Sequence, residues 1–223
     1  ATAGDEFYLR TRRGDGLTHS PNLTWHAPSG AVVANVGVGG DVNTFTVTET
    51  GRQLLTVMTP PDDPNPSGAF ELTLLPVVDT SANLVLGVTQ SGDITSPGQT
   101  YRYAFALAEA KRLHLDVLAG DNAFTVNLSG PTGSQSLSFY DYYLGAPWLD
   151  LPAGSYQLSL RRNGDDLGPF SFRLLDFAAA TPFAPGEEVG TALMPANGTT
   201  IRSFAGTLGQ HLYFDGLGTA GGT

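Results

Sequence analysis

The chain has 223 residues, of which 41% are hydrophobic, so it can bury the cores of two domains and is not a disordered protein. Its formal net charge of −10 repels phosphate backbones, which argues against nucleic acid as a partner. The absence of cysteine excludes disulfides and thiolate metal sites, and no apolar run reaches the roughly 18 residues of a membrane span.

Short segments that alternate apolar and polar residues dominate the middle of the chain. In chain order they cover residues 100–105, 112–117, 123–128, 136–139, 156–160 and 170–174. Turn-forming residues separate them, as in Asp121-Asn122 and Asn163-Gly164. This period of two predicts an all-β fold of antiparallel, Ig-like or jelly-roll-like β-sandwiches. Only residues 107–113 have a helical composition, and that segment is too short to stand alone.

The sequence repeats itself with a period of about 100 residues, which is the size of one β-sandwich domain. Four pairs of segments resemble each other: 28–30 and 131–133, 68–75 and 168–175, 97–102 and 196–202, and 2–9 and 207–214. Because the two ends of the chain match each other, the chain holds about two periods and both ends fall within a domain.

The phase of the repeat predicts three parts. We expect residues 1–86 to form a β-sandwich that lacks its first strands, residues 87–186 a complete sandwich, and residues 187–223 the opening strands of a further one. Residues 187–210 supply about the length that the first part lacks. The tail of one chain could therefore complete the first sandwich of another by strand addition. The alternative is that the missing strands lie elsewhere on a longer polypeptide.

Several segments resemble bacterial pre-peptidase C-terminal-like repeats, and together they extend over nearly the whole chain. They are residues 92–105, Leu-Ser-Gly-Pro-Thr-Gly at 128–133, Leu-Pro-Ala-Gly-Ser-Tyr-Gln-Leu-Ser-Leu at 151–160 and Phe-Ser-Phe-Arg-Leu at 170–174. The resemblance implies β-sandwich modules of secreted peptidases or, in long arrays, of large bacterial surface proteins. The Asp-x-Asp that this family often carries has its nearest match in Asp41-Val42-Asn43, at a different phase of the repeat.

Two acidic turns fall at the same phase of the repeat and supply candidate metal ligands. Clustered carboxylate and amide oxygens are the ligands that Ca²⁺ prefers, so calcium is a possible cofactor. The alternative is that these residues only form hairpin turns, since neither run matches the twelve-residue calcium loop. The candidate ligands are Asp62, Asp63, Asn65, Asp165 and Asp166.

Aromatic residues cluster after the segment 136–139 and form a candidate glycan site, because apolar faces of sugars pack on aromatic rings. The alternative is an aromatic loop that packs on a neighbouring domain. The equivalent stretch of the first repeat, residues 31–40, has no ring. The candidate ligand-binding residues are Tyr140, Tyr142, Tyr143 and Trp148.

No pattern in the sequence indicates catalysis. There is no nucleophile elbow, phosphate loop or dinucleotide fingerprint, and the four histidines lack metal-ligand spacing. We therefore expect a non-enzymatic structural module of an extracellular or cell-surface bacterial filament, stalk or surface protein, with neighbouring copies or repeats as partners. The alternatives are a carbohydrate- or calcium-dependent adhesion module and an accessory domain of a secreted hydrolase.

Overall fold

The computed structural model describes residues 1–39, 41–62, 67–139, 148–190 and 195–215, with the backbone alone for residues 41–43. Within these ranges the chain is all-β and forms antiparallel β-sandwiches, as the alternation predicts. The one helical element described is a single 3₁₀ turn, Phe177–Ala179. Among the same residues, no helix has the length and hydrophobicity that crossing a membrane requires.

Residues 6–76 build a first sandwich of two three-stranded sheets, ordered β4-β1-β6 and β3-β2-β5. Its described strands are β1 Glu6–Arg13, β2 Asn22–His26, β3 Val32–Gly37, β4 Asp41–Thr46, β5 Leu54–Met58 and β6 Phe70–Pro76. Leu9, Leu23 and Trp25 are buried between the sheets, because alternate residues of a strand point to the same face. The Trp25 ring packs on Phe7 and Phe45, with ring centroids 6.1 and 5.7 Å away.

Residues 80–176 build a second sandwich from a four-stranded sheet, β13-β10-β15-β8, and a five-stranded sheet, β12-β11-β14-β9-β7. Its described strands are β7 Thr80–Asn83, β8 Gln90–Ile94, β9 Thr100–Leu107, β10 Lys111–Ala119, β11 Phe124–Gly130, β12 Gly133–Leu137, β13 Leu149–Leu151, β14 Gly154–Arg162 and β15 Gly168–Asp176. The segment 107–113, despite its helical composition, ends β9 and begins β10.

The core of the second sandwich follows from the alternation in its strands. Phe124, Val126 and Leu128 of β11 are buried, while the residues between them are only half-buried. Aromatic rings from the two sheets meet edge to face, as Phe170 of β15 does with Tyr101 of β9 at a centroid distance of 4.9 Å. This interleaving of two inner faces is the packing expected of a β-sandwich.

The first sandwich has the connectivity of strands β10 to β15 of the second. β1 pairs with β4 and β6 as β10 pairs with β13 and β15, and β2 pairs with β3 and β5 as β11 pairs with β12 and β14. The registers agree in two opposed pairs: Leu9–Leu74 with Leu115–Leu174, and Leu23–Val57 with Val126–Leu160. Strands β7, β8 and β9 have no counterpart among the described residues of the first sandwich.

Strand β7 belongs to the second sandwich although it precedes residue 87, where the sequence places the start of the complete repeat. It pairs in parallel with β9, and the following Leu84 is buried in the second core. The strand is the segment Thr-Ser-Ala-Asn, which lacks the apolar alternation of the other strands. Pairing with β9, and not an amphipathic pattern, is what makes this segment a strand.

The C-terminal segment contains a second parallel pair, formed by β16 Thr181–Pro182 and β17 Arg202–Ser203. Its register repeats that of β7 and β9, because Thr181 lies opposite Arg202 as Ser81 lies opposite Arg102. The residues that follow the second sandwich therefore begin with the same parallel pair that begins the second sandwich.

Among the described residues, a packed turn and an ion pair join the sandwiches. The turn before β9 lies on the outer face of the sheet β4-β1-β6, where a Cβ atom at Gly98 would stand 2.5 Å from Thr44 Cγ2 and 3.2 Å from Tyr8 Cδ2. Arg10 of β1 forms an ion pair with Asp165, in the turn between β14 and β15, at 2.8 Å. Both charges are partly exposed, so this ion pair contributes at most about 1 kcal/mol, and the packing around Gly98 is the more specific contact.

Matched core substitutions test whether β5 and β14 are equivalent strands with unequal cover. Leu158→Ala should lower the free energy of unfolding of the second sandwich by about 2–5 kcal/mol, because Leu158 is fully buried. Leu55→Ala, at the corresponding position of β5, should cost the first sandwich at least about 1 kcal/mol less, because Leu55 is only half-buried. Urea titration of dilute protein, followed transition by transition, measures both values; equal costs would contradict the unequal cover of the two strands.

A glycine pair tests the packing between the sandwiches. Gly98 and Gly133 both have a positive φ, +79° and +104°, but the space around Gly133 is empty. Alanine at either position carries the strain of a left-handed backbone, roughly 1–2 kcal/mol. Gly98→Ala must in addition displace Thr44, so it should be the more destabilising substitution by at least about 1 kcal/mol in chemical denaturation. If the two substitutions cost the same, the Gly98 turn does not pack on the first sandwich in solution.

Candidate functional site

The first sandwich is open along one side, which we call the open side and define by strands β5 and β6. Within the described chain β5 pairs only with β2 and β6 only with β1, whereas their counterparts β14 and β15 each have two neighbours. The open side lies where counterparts of β8 and β9 would pair. An edge strand presents backbone N–H and C=O groups to any strand that can add to it.

Apolar side chains on the open side lack the cover that their counterparts have. Phe70, Leu72 and Leu74 of β6 are 43, 37 and 39% exposed. The matching residues of β15 are 1, 0 and 0% exposed, and these are Phe170, Phe172 and Leu174. The same alternation therefore gives a closed core in one sandwich and a partly uncovered one in the other. This exposed apolar surface makes the open side a candidate interaction site.

The C-terminal segment, residues 181–215, carries exposed apolar side chains of its own. Among its described residues only the short strands β16 and β17 form sheet. The exposed large apolar residues described in this segment are Val189, Phe204, Leu208, Leu212, Tyr213 and Phe214. The first sandwich thus has an uncovered edge. The C-terminal segment has strands that correspond to β7 and β9, but among its described residues no further strands pair with them.

A buried ion pair anchors this segment to the second sandwich. Asp116 of β10 is 2% exposed and accepts a hydrogen bond from Arg173 Nε of β15 at 2.7 Å. The same carboxylate accepts the backbone N–H of Thr199 at 3.0 Å, and Arg173 Nη2 donates to the Thr199 carbonyl at 3.0 Å. Burying charges is tolerated only when they are paired and hydrogen-bonded, and the C-terminal segment supplies part of that pairing.

A turn before Thr199 completes the anchor. Asn197 Nδ2 donates to the carbonyl of Leu118 at 3.2 Å. Asn197 has a φ of 63°, which makes it the one described residue other than glycine with a positive φ. Asparagine tolerates this left-handed conformation better than most residues, so its side chain and its backbone both suit this turn.

The predicted calcium ligands do not form a described cluster. Asp165 pairs with Arg10, and the N–H of the exposed Asp166 donates to the Asn163 carbonyl at 3.3 Å. Asp62 is exposed in a turn. Asp63 and Asn65 lie outside the described residues. Over the described ranges, no three His, Asp or Glu side chains are placed to hold a metal ion together. The calcium site stays a prediction.

Trp148 is the one predicted glycan ligand whose position is described, and it is 60% exposed. Its ring stacks on Phe177 with a centroid distance of 5.1 Å and an interplanar angle of 6°. The guanidinium carbon of Arg112 lies 4.9 Å from the Trp148 ring centroid, which is a cation–π contact. The other candidates lie outside the described residues, and these are Tyr140, Tyr142 and Tyr143.

This aromatic cluster has a counterpart at the junction of the two sandwiches. Tyr8 and Thr44 of the first sandwich, and Val77 directly after it, surround Gly98 of the second. β1 pairs with β4 and β6 as β10 pairs with β13 and β15, and these registers, continued by one residue past their last pairs, give each of the three an equivalent on the second sandwich. The equivalents of Tyr8, Thr44 and Val77 are, in that order, His114, Trp148 and Phe177. Trp148 therefore occupies the position at which the first sandwich receives the one that follows it.

Sequence reasoning missed both the anchor and the junction. Alternation places Asp116 on the outer face of β10, where an acidic residue is expected to meet water. A signal was present, because Asp116 and Arg173 lie opposite each other on paired strands. The cover that buries Asp116 comes from Thr199, and a contact so distant in sequence has no local pattern.

The pH dependence of stability tests the environment of His114. Burial lowers the pKa of His114, and the nearby Asp116 carboxylate only partly opposes this. The unfolded chain, with a histidine pKa near 6.5, then binds more protons than the folded chain over the window below about pH 6.5. Stability should therefore fall as the pH drops through that window. The fall should be smaller in His114→Gln and unchanged in the exposed control His211→Gln, as measured by urea midpoints between pH 7.5 and 5; equal falls in all three proteins would refute it.

Three solved structures with a similar sandwich each match less than half of this chain. The pre-peptidase C-terminal domain of a collagenase from Bacillus anthracis matches 44% of this chain and 96% of its own length, at 17% identity and a TM-score of 0.36. PliG, a periplasmic inhibitor of g-type lysozyme, matches 44% of this chain and 98% of its own in Salmonella Typhimurium, at 19% identity and a TM-score of 0.36. PliG of Aeromonas hydrophila matches 45% and 98%, at 13% identity and a TM-score of 0.37. No protein-family profile and no curated protein sequence matches the chain.

Proposed function

We propose that this chain is a structural repeat module of an extracellular bacterial filament, stalk or surface protein, whose sandwiches join end to end and whose first sandwich is completed by strands of a second copy. The observation that carries the proposal is the open side. Phe70, Leu72 and Leu74 are exposed where the matching residues of a complete sandwich are fully covered. A repeated head-to-tail contact of this kind builds an open chain and not a closed dimer.

Among its described residues the first sandwich lacks counterparts of β7 to β9, and the C-terminal segment contains counterparts of β7 and β9. The first sandwich has counterparts of β10 to β15, and the C-terminal segment has the parallel pair that corresponds to β7 and β9. Together they hold the opening and closing parts of one sandwich. The division into residues 1–86, 87–186 and 187–223 is part of this proposal, with the position of β7 moving the start of the middle module to about residue 80.

The sequence segments that resemble pre-peptidase C-terminal-like repeats support the same role, because that family forms arrays in large bacterial surface proteins. An adhesion module that binds a glycan through Trp148 is the alternative. The contacts of Trp148 with Phe177 and Arg112, and its equivalence to the junction residue Thr44, favour packing against a following sandwich instead.

Self-assembly of the purified chain tests the proposal. Light scattering coupled to gel filtration, with negative-stain electron microscopy, should detect species that grow with concentration well beyond the 23.4 kDa of one chain. Leu72→Lys should weaken assembly at least about tenfold, because assembly would fully bury the new charge whereas the single chain leaves this position partly exposed. Thr73→Lys adds the same charge to the neighbouring residue, whose side chain points to the opposite face of β6, and should assemble like the parent.

A chain that stays monomeric at high concentration would refute the proposal. Equal assembly of Leu72→Lys and Thr73→Lys would also refute it, since the open side would then play no part.

A further inference from the structure

We propose that β17 of one copy adds to the free edge of β5 in a second copy, antiparallel and in one register, with Ile201 opposite Val57. This inference rests on the proposed function and names the strands and residues that would carry it out. The occupant of the open side is then the C-terminal segment of another molecule of the same chain.

The acceptor register follows from the complete sandwich. There β9 pairs antiparallel with β14, and Tyr101 lies opposite Leu160. Leu160 corresponds to Val57, because each forms the matched pair with β11 or β2 described above. A strand that takes the place of β9 on the first sandwich would therefore put its own equivalent of Tyr101 opposite Val57.

The donor register follows from the parallel pairs. β7 pairs with β9 so that Ser81 lies opposite Arg102, and β16 pairs with β17 so that Thr181 lies opposite Arg202. Arg202 of β17 is thus the counterpart of Arg102, and the preceding residue, Ile201, is the counterpart of Tyr101. One edge of β17 is thus already paired with β16, as one edge of β9 is paired with β7. The other edge of β17 is the one that would pair with β5.

The side chains on both strands fit this register. Leu55 and Val57 are half-buried, and their side chains pack against the core of the first sandwich. The residues of an added strand that lie opposite them should therefore also point to the core. Ile201 would cover Val57 from the donor strand, as Tyr101 packs on the core beside Leu160. On the outer face Arg202 would lie opposite Thr56, a pairing of Arg with a small hydroxyl residue like that of Arg102 with Ser159.

The anchor explains why a second copy, and not the same copy, is the partner. Thr199 is bonded to Asp116 and Arg173 of the second sandwich, only three residues before β17 begins. Among the described residues of one copy β17 pairs with β16, and β5 of the first sandwich pairs with β2 alone, so its other edge is unpaired there. Donation to another molecule keeps the anchor intact and closes the open side at the same time.

Disulfide cross-linking between two singly substituted copies tests the register directly, because the parent chain contains no cysteine. Thr56→Cys and Arg202→Cys are prepared separately, mixed, and oxidised mildly. Directly opposed residues of an antiparallel pair have Cα atoms about 4.5–5.5 Å apart, which lies within the range that a disulfide spans. A covalent heterodimer should therefore form on non-reducing gels, and neither protein alone should give it.

The matched control shifts the donor by one residue. Ser203→Cys mixed with Thr56→Cys should cross-link at least about tenfold less, because adjacent residues of a strand point to opposite faces. Equal yields for positions 202 and 203, or no heterodimer in mixtures that still assemble, would overturn this register and leave the proposed function standing. If the parent chain does not assemble at all, the proposed function fails and the inference fails with it.

Discussion

The inner face of each sheet in a sandwich must be covered by the facing sheet, and this requirement separates the two halves of the chain. In the second sandwich nine described strands meet it, and Phe170, Phe172 and Leu174 are out of contact with water. In the first sandwich six described strands do not, although they have the same connectivity. The uncovered side chains, the free edges of β5 and β6, and the exposed C-terminal segment are consequences of the same shortfall.

Much of this fold was predictable because its cause is local. Alternation in segments such as 123–128 decides which side chains enter the core, and it needs no knowledge of the rest of the chain. The exceptions are equally physical. β7 has no amphipathic pattern and is a strand only because β9 lies beside it, while the helical composition of residues 107–113 is overridden by the strands on either side.

The candidate site was less predictable, because its residues meet across long stretches of sequence. The acidic turn around Asp165 indicates a candidate calcium ligand, whereas its ion pair with Arg10 of the other sandwich has no local signal in the sequence. The alternation of β10 predicts that Asp116 faces solvent, but Thr199 covers it in the structure. Trp148 could be identified as unusual from its neighbours in sequence, but only the strand registers place it at the position of Thr44.

The Asp116–Arg173 pair also constrains the order in which parts of the chain fold and dock. One partner lies on β10 and the other on β15, the last strand of its sandwich, so the platform that receives Thr199 does not exist until that strand has paired. Before β15 pairs with β10, Arg173 is not beside Asp116, and burying the unpaired carboxylate under Thr199 would be unfavourable. In the second sandwich, β10 and β15 must therefore pair before the segment around Thr199 can be held against them. At this anchor the order of docking follows the order of the sequence, because β10 and β15 both precede Thr199.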